Sequence, residues 1–474
     1  MNTHETWQTG MGRIRHMHFV GVGGAGMSGI AEVLLNEGYK ISGSDSQSNA
    51  ETKRLAKLGA TIYQGHDASQ VEGADVVVTS TAVTDENVEV IAAKAKRIPV
   101  VARATMLGEL MRFRTGIAVA GTHGKTTTTS LVASVLAEGG IDPTFVIGGR
   151  LTSAGTNARL GSSEYIVAEA DESDASFLSL LPCITVVTNI DADHMEHYQD
   201  NLSTLHETFL KFIHKLPFYG LAIVCIDDEG VQTVKDEIAR PMVTYGFDED
   251  ADWQASDFTQ LGFKSQFKVT HKASGKQWLF ELNMPGTHNV LNALAAIVIA
   301  HELGVSMEDS KRALRCFAGV GRRLQKIGEL NCDNGQAILL DDYGHHPREI
   351  TATLSAVAQA WPGRRVVMMF QPHRYTRTQS LFDDFSHVLA EVDVLLMLDV
   401  YSAGEAPIAG ADSRALCRSI RSRGRVEPIL VPDAKELPQV LANIIKPDDI
   451  VIAQGAGTIS RFAADLIPHF NGKS

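Results

Sequence analysis

Ten residues constrain this chain more than any others: Gly121-Thr-His-Gly-Lys-Thr-Thr-Thr-Thr-Ser130. They follow an apolar run, Ile117-Ala-Val-Ala120, that reads as a buried strand, and precede Leu131–Glu138, which reads as a helix. A strand, a glycine turn, a lysine with a hydroxyl beside it and a helix start make a cradle for nucleotide phosphates. The glycines let backbone N–H groups crowd a phosphate, and the helix N-terminus favours negative charge. Lys125 adds a point charge, and Thr126 can hold a magnesium ion. The usual spacing places a glycine at position 119, where Val119 stands, so the loop is a shortened version.

At 474 residues the chain exceeds one ordinary core and predicts about three domains. Its net charge of −13 argues against a general nucleic-acid surface, which needs basic stripes. Cys183, Cys225, Cys316, Cys332 and Cys417 show no CxxC spacing and read as small buried hydrophobes rather than disulfides or a zinc site. No apolar run is long enough to insert in a bilayer, and the N-terminus lacks a signal-peptide profile, so the expected location is the cytoplasm.

Strands alternate with helices throughout, which predicts parallel sheets with crossover helices. The expected division is residues 1–113, residues 114–322 opening near the phosphate loop, and residues 323–474. The fold class is α/β: an N-terminal Rossmann-like domain, a central P-loop-type ATPase domain and a C-terminal Rossmann-like domain. Residues 253–282 alternate in the manner of antiparallel strands.

Several further loops carry chemistry. Gly21-Val-Gly-Gly-Ala-Gly26 fits G-x-G-x-x-G, and Asp45 lies where a ribose-binding acid would sit. The loop implies a pyrophosphate on a helix N-terminus; NAD, FAD and a nucleotide-sugar diphosphate all satisfy it. Glu169-Ala-Asp-Glu-Ser-Asp174 crowds carboxylates after a strand, which suits a divalent cation or an amine. In Thr188-Asn-Ile-Asp-Ala-Asp-His194 a histidine beside carboxylates could be a metal ligand or a base. Asn289 and Asn292 share a helix face and could read a base edge, or Asn289 could cap the helix. Arg322 and Arg323 place two guanidinium groups at a domain junction, where one could neutralise a leaving phosphoryl group. Asp341-Asp-Tyr-Gly-His-His-Pro347 and Gln371-Pro-His-Arg-Tyr-Thr-Arg377 follow what read as adjacent strands, so their side chains are expected to meet one ligand.

Taken together, the opening Phe19-Val-Gly-Val-Gly-Gly-Ala-Gly-Met-Ser-Gly29, the phosphate loop, Glu169–Phe177, Asp193-His-Met195, His288-Asn289 with Asn292, Asp342–Pro347 and Gln371–Arg377 resemble the Mur ligases of peptidoglycan synthesis. The resemblance covers essentially the whole chain and points to the alanine-adding branch. It implies that the first domain binds UDP-N-acetylmuramate, the second ATP with magnesium or manganese, and that the third closes over both with L-alanine. It thereby favours a UDP-sugar at the first glycine loop.

Carried over by position, the resemblance implies that Gly23, Gly24, Ala25, Gly26 and Met27 hold the diphosphate, with Asp45 and His66 at the uridine end. ATP would meet Gly121, Thr122, His123, Gly124, Lys125, Thr126 and Thr127, with Asn289 and Asn292 at adenine, Asp342 near the ribose and Arg323 at the γ-phosphate. Thr126, Glu169 and His194 would sit at the metals. His345, His373, Arg374 and Arg377 would face the muramate carboxylate or the alanine. Catalysis would rest on Lys125, His194, Arg323 and His345. Other readings are a ligase adding a whole tripeptide to the same sugar, an NAD(P)-dependent oxidoreductase built on the first loop, and a non-catalytic nucleotide-binding regulator. Two departures from the family pattern are visible. Lys211 does not match the modified metal-site lysine of some members, and Gln454-Gly-Ala-Gly-Thr-Ile-Ser460 lacks the usual acidic residue.

Overall fold

Three sheets organise the described residues. The structure is a computed structural model that describes residues 10–193, 195–199 and 201–472. Close packing groups the chain into two compact units. Unit 1 comprises residues up to Asp257, Phe267–Glu281 and Val290–Ala318; unit 2 comprises Phe258–Gln266, Leu282–Asn289 and residues from Gly319 onward. Two of the three sheets that the sequence predicts therefore share one unit. Unit 2 also takes in residues 258–266 and 282–289, from within the expected central stretch.

The first sheet holds β1 to β5: His16–Val20, Lys40–Asp45, Thr61–Gln64, Val76–Thr79 and Val100–Ala102. Its order is β3-β2-β1-β4-β5 and every pairing is parallel. The order reverses beside β1, so the loop after β1 opens at the switch point where such sheets take ligands.

The second sheet has order β15-β14-β13-β12-β11-β10-β6-β9-β7-β8. Its strands β6 to β10 are Thr115–Ala120, Thr144–Leu151, Thr156–Arg159, Tyr165–Glu169 and Ile184–Val187. Strands β11 to β15 are Leu221–Cys225, Met242–Gly246, Trp253–Leu261, Lys264–His271 and Lys276–Leu282. Ile117 to Ala120 are fully buried, as expected for a strand covered on both faces. Sequence reading missed β7 and β8, an antiparallel pair on the far side of β9.

The helix after the phosphate loop runs Lys125–Glu138, starting six residues before its expected position. Its opening run of threonines is a poor helix former. Burial overrides that propensity, and the hydroxyls of Thr129 and Ser130 bond back to the carbonyls of Lys125 and Thr126.

Unit 2 carries β16 to β21: Gln325–Cys332, Gly335–Asp342, Val366–Phe370, Val394–Leu398, Ile429–Val431 and Ile450–Gln454. The order is β16-β17-β21-β18-β19-β20, parallel except for the β16–β17 hairpin. One expectation fails here. The two histidine-bearing loops leave β17 and β18, which are not adjacent, because β21 lies between them. The cysteine reading also needs correction: Cys225 and Cys417 are buried, but Cys316 is exposed. No helix among the described residues is long and apolar enough to cross a membrane.

Candidate active site

The phosphate loop leaves β6 and turns through Gly121 at φ 135° and Gly124 at φ 83°, backbone conformations that favour glycine. It is clamped by the segment after β10. Thr122 N–H donates to the Asn189 carbonyl at 3.2 Å, His123 N–H donates to Asn189 Oδ1 at 2.8 Å, and Thr188 Oγ1 donates to the His123 carbonyl at 2.7 Å. Asp191 N–H donates to Thr122 Oγ1 at 2.9 Å, and His123 Nε2 lies 3.2 Å from Asp191 Oδ2. In the sequence this segment read as a metal or base site; in the fold its first residues shape the loop. His194 lies outside the described residues.

Lys125 is folded back into the loop. Its Nζ donates to the carbonyls of Gly121 at 2.7 Å and Thr122 at 3.0 Å, and reaches Glu172 Oε2 at 2.7 Å. Burial alone would lower the Lys125 pKa, but Glu172, Asp171 and Glu169 together hold it above its usual value. Burial pushes the Glu172 carboxyl up to about 7; Lys125 opposes this and Asp171 adds to it. Glu172 was not singled out within its acidic run, because spacing alone does not say which carboxylate turns inward.

A carboxylate whose folded pKa lies above its unfolded one stabilises the fold most at low pH. Between about 4.5 and 7 the folded state holds more protons, so stability falls as pH rises through that window and is level above it. Thermal unfolding of Glu172→Gln, compared with the parent, is expected to remove this fall, on the order of 3 kcal/mol. Parallel curves for the two proteins from pH 4.5 to 7.5 would refute the assignment.

Thr126 is the second residue of the same helix, and Glu169 ends β9, whose register places it opposite Val119 of β6. The two residues thus leave paired strands at the same sheet edge, and Gly148 leaves room for the carboxylate: a Cβ there would lie 2.6 Å from Glu169 Oε2. A hydroxyl and a carboxylate are hard oxygen donors, the set that magnesium prefers. Asn292 accepts from Thr128 Oγ1 at 3.0 Å and also stands where a Cβ on Gly124 would be. Asn289 donates from Nδ2 to the Pro285 carbonyl at 2.7 Å. Each amide therefore has a protein partner on one of its atoms.

At the first glycine loop, Gly23 N–H donates to Asp45 Oδ2 at 2.9 Å, and Asn49 Nδ2 donates to the Gly23 carbonyl at 3.0 Å. Asp45 thus braces the loop itself. The helix Ala25–Asn36 that follows has no side-chain cap, so its first N–H groups stay open toward an anion. Arg103, which sequence reading missed, packs over Gly26 and lies 3.5 Å from Asp171.

In unit 2 the two histidine loops do converge, although β21 separates their strands. The rings of His345 and His373 lie 5.5 Å apart, and His373 stacks on Tyr401. His345 Nδ1 lies 3.2 Å from the Tyr343 carbonyl, so it carries the proton in that bond. Arg377 Nη1 reaches His373 Nδ1 at 3.4 Å. Arg374 opens the helix Tyr375–Ser380 at φ 70°, with a buried Nε that has no hydrogen-bond partner. Arg322 and Arg323 both lie over the Tyr343 ring. Asp342 accepts from Leu324 N–H, Gly344 N–H and Gln454 Nε2 at 2.7–2.8 Å. Burial raises the Asp341 pKa, against Ser460 and Arg322, which lower it.

Mur ligase family models match three consecutive stretches: "Mur ligase family, catalytic domain" over residues 16–115, "Mur ligase middle domain" over 119–300 and "Mur ligase, glutamate ligase domain" over 322–457. The solved UDP-N-acetylmuramate:L-alanyl-γ-D-glutamyl-meso-diaminopimelate ligase of Neisseria meningitides is 30% identical, with 65% of this chain and 100% of that one covered and a TM-score of 0.59. The chain belongs to the Mur ligase family. It is also similar to the UDP-N-acetylmuramate–alanine ligase of Thermotoga maritima, at 28% identity and TM-score 0.82 over 98% of this chain and 100% of that one. A murein peptide ligase of Psychrobacter arcticus shares the fold, at 24% identity and TM-score 0.70 over 97% and 99%. Mur ligases are ATP-dependent, which matches the phosphate cradle.

Lys211 and Gln454, from the two segments that depart from the Mur ligase pattern, each have a place in the fold. Lys211 is an exposed residue, 3.5 Å from Glu207 one helical turn away. Gln454 is fully buried, and its Nε2 donates to Asp342 Oδ1 and to the Gly344 carbonyl, both at 2.7 Å. An acid there would put a second carboxylate against Asp342. Gln454→Glu is expected to cost about 3–5 kcal/mol at neutral pH, with partial recovery in acid as the new carboxyl protonates. Chemical denaturation of the full chain reads this; an unchanged midpoint would refute it.

Proposed function

We propose that this Mur ligase joins L-alanine to the lactyl carboxylate of UDP-N-acetylmuramate, forming ADP and phosphate. The observation that carries the reading is the similarity to the Thermotoga alanine ligase over the length of both chains. The phosphate cradle around Lys125 and the uncapped helix after the first glycine loop support it.

A carboxylate is a poor electrophile. Its oxygen attacks the γ-phosphorus, the bond to the β-phosphate oxygen breaks, and ADP leaves an acyl phosphate. The alanine amine then attacks the acyl carbon and phosphate departs. Lys125 and Arg323 are assigned to the charge that builds on the phosphoryl oxygens. Thr126 and Glu169 would hold magnesium or manganese, which would offset phosphate charge when bound. His194 keeps its assignment to the metal and to catalysis on the resemblance alone.

Gly23, Gly24, Ala25, Gly26 and Met27 are assigned to the diphosphate, with His66 at the uridine end. Gly121 to Thr127 are assigned to the ATP phosphates, and Asn289, Asn292 and Asp342 to its nucleoside. His373, Arg374 and Arg377 are assigned to the substrate carboxylates. The amine must lose a proton, and His345 is the better base. Its Nδ1 is committed to a carbonyl, which leaves Nε2 as the basic nitrogen, whereas Asp342 already accepts three short hydrogen bonds.

A tripeptide-adding activity is the second reading, favoured by the 30% identity to the Neisseria ligase. Product mass after incubation with ATP, UDP-N-acetylmuramate and either free L-alanine or the tripeptide separates the two. Coupling of the tripeptide alone would overturn the alanine assignment.

A further inference from the structure

Beneath the first sheet's ligand edge lies a network of polar side chains, of which only His66 has a role above. Glu89, near the start of the helix Val88–Ala95, is fully buried, as are His18 on β1 and Ser44 on β2. Glu89 Oε2 accepts from Ser44 Oγ at 2.6 Å and lies 3.3 Å from His66 Nδ1 and 3.7 Å from His18 Nε2. His66 Nδ1 is also 3.2 Å from Ser44 Oγ. Behind them, His18 Nδ1 and His16 Nε2 each lie 2.8 Å from Ser42 Oγ, and His16 Nδ1 is 2.9 Å from the Gly73 carbonyl.

Counting protons fixes the roles. The Gly73 carbonyl can only accept, so His16 Nδ1 carries a hydrogen. With His16 neutral, as its burial favours, Ser42 donates to His16 Nε2 and accepts from His18 Nδ1. Ser44 has one proton, and it lies in the 2.6 Å bond to Glu89. Both oxygens near His66 Nδ1 are therefore acceptors, and that nitrogen must be the donor. Burial would raise the Glu89 pKa, but its partners His18, Ser44 and His66 hold it below the usual value, so the carboxylate is ionised at neutral pH.

His66 stands beside the glycine loop through a short relay: Gly65 N–H donates to the Asp45 carbonyl at 2.8 Å, and the Asp45 carboxylate holds Gly23 N–H. We propose that Glu89 is a positioning residue that fixes the proton of His66 on Nδ1, so that Nε2, on the far side of the ring, accepts a hydrogen bond from the uridine of the substrate. This rests on the UDP-sugar reading of the first sheet. The donor is the imide N3–H of the base or a ribose hydroxyl; a neutral His66 with the opposite tautomer could accept from neither.

Nitrogen-15 NMR of the histidine-labelled full chain, at a pH above the imidazole titration, reads the tautomer, with His66→Phe identifying the signals. Nδ1 protonated and Nε2 bare is expected; a hydrogen on Nε2 overturns the proposal. Glu89→Gln is expected to mix the tautomers and to weaken UDP binding about tenfold while leaving ATP-analogue binding unchanged. A folded Glu89→Gln protein with an unaltered His66 tautomer also overturns it. If that variant does not fold, the parent's spectrum and the ligand series still decide.

In that series, either N3-methyl-UDP or 2′,3′-dideoxy-UDP binds about tenfold weaker than UDP, naming the donor, and His66→Phe erases the difference. Equal binding of all three by the parent overturns the hydrogen bond. If the parent takes up no UDP at all, the UDP-sugar reading itself falls. A wrong tautomer with normal UDP binding removes only the role of Glu89.

Discussion

Lys125→Ala is expected to lower kcat/KM for ATP about a hundred- to a thousandfold, with the protein still folded. The lysine is the cation at the centre of the loop, and it sits among Gly121 and Thr122 carbonyls and the Glu172 carboxylate. A phosphoryl group in transfer gathers negative charge on its oxygens, and removing one preorganised donor from such a site costs about a hundred- to a thousandfold. Loss of the counter-charge also leaves Glu172 buried without its main partner, which pushes its pKa higher still. Lys125→Arg would not restore the rate, since a planar fork cannot occupy a pocket that three oxygens shape around one ammonium. Steady-state kinetics with circular dichroism as the folding check decides it; an alanine variant keeping most of its rate would remove the cradle role.

Gly121→Ala is expected to destabilise unit 1 by about 2–4 kcal/mol and to abolish ATP binding. At φ 135° an alanine is strained, and its Cβ would run into Thr188 Oγ1 and stand 3.1 Å from backbone atoms of Asn189. Thr188 cannot step aside, because its hydroxyl holds the His123 carbonyl. Gly140→Ala is the matched control. Its φ is 80° but its Cβ would meet nothing within 4 Å, so it isolates the backbone strain, about 1 kcal/mol. Equal unfolding midpoints for the two variants would show that the clamp after β10 does not hold the loop.

Much of this was legible in the chain. Continuous apolar runs located β6, β11 and β19, because strands buried on both faces leave no polar alternation to blur them. The threonine run hid the start of the helix at Lys125, since tertiary burial rather than propensity makes it helical. Strand order was not legible: β21 enters between β17 and β18 from the end of the chain, and no local pattern marks such an insertion. The glycine-rich turns that carry the assigned residues could be read. Glu89, Glu172 and Gln454 could not, because each acts through partners far away in sequence, at His18, Lys125 and Asp342. The brace that the Asp45 carboxylate gives to Gly23 had no local signal either.

The most direct measurement follows the oxygen. UDP-N-acetylmuramate carrying oxygen-18 in its lactyl carboxylate is turned over with ATP, magnesium and L-alanine, and the released phosphate is weighed by mass spectrometry. If the cradle at Lys125 delivers the γ-phosphoryl group to that carboxylate, each phosphate carries one heavy oxygen. Phosphate formed at the same rate with no label would contradict transfer to the sugar acid.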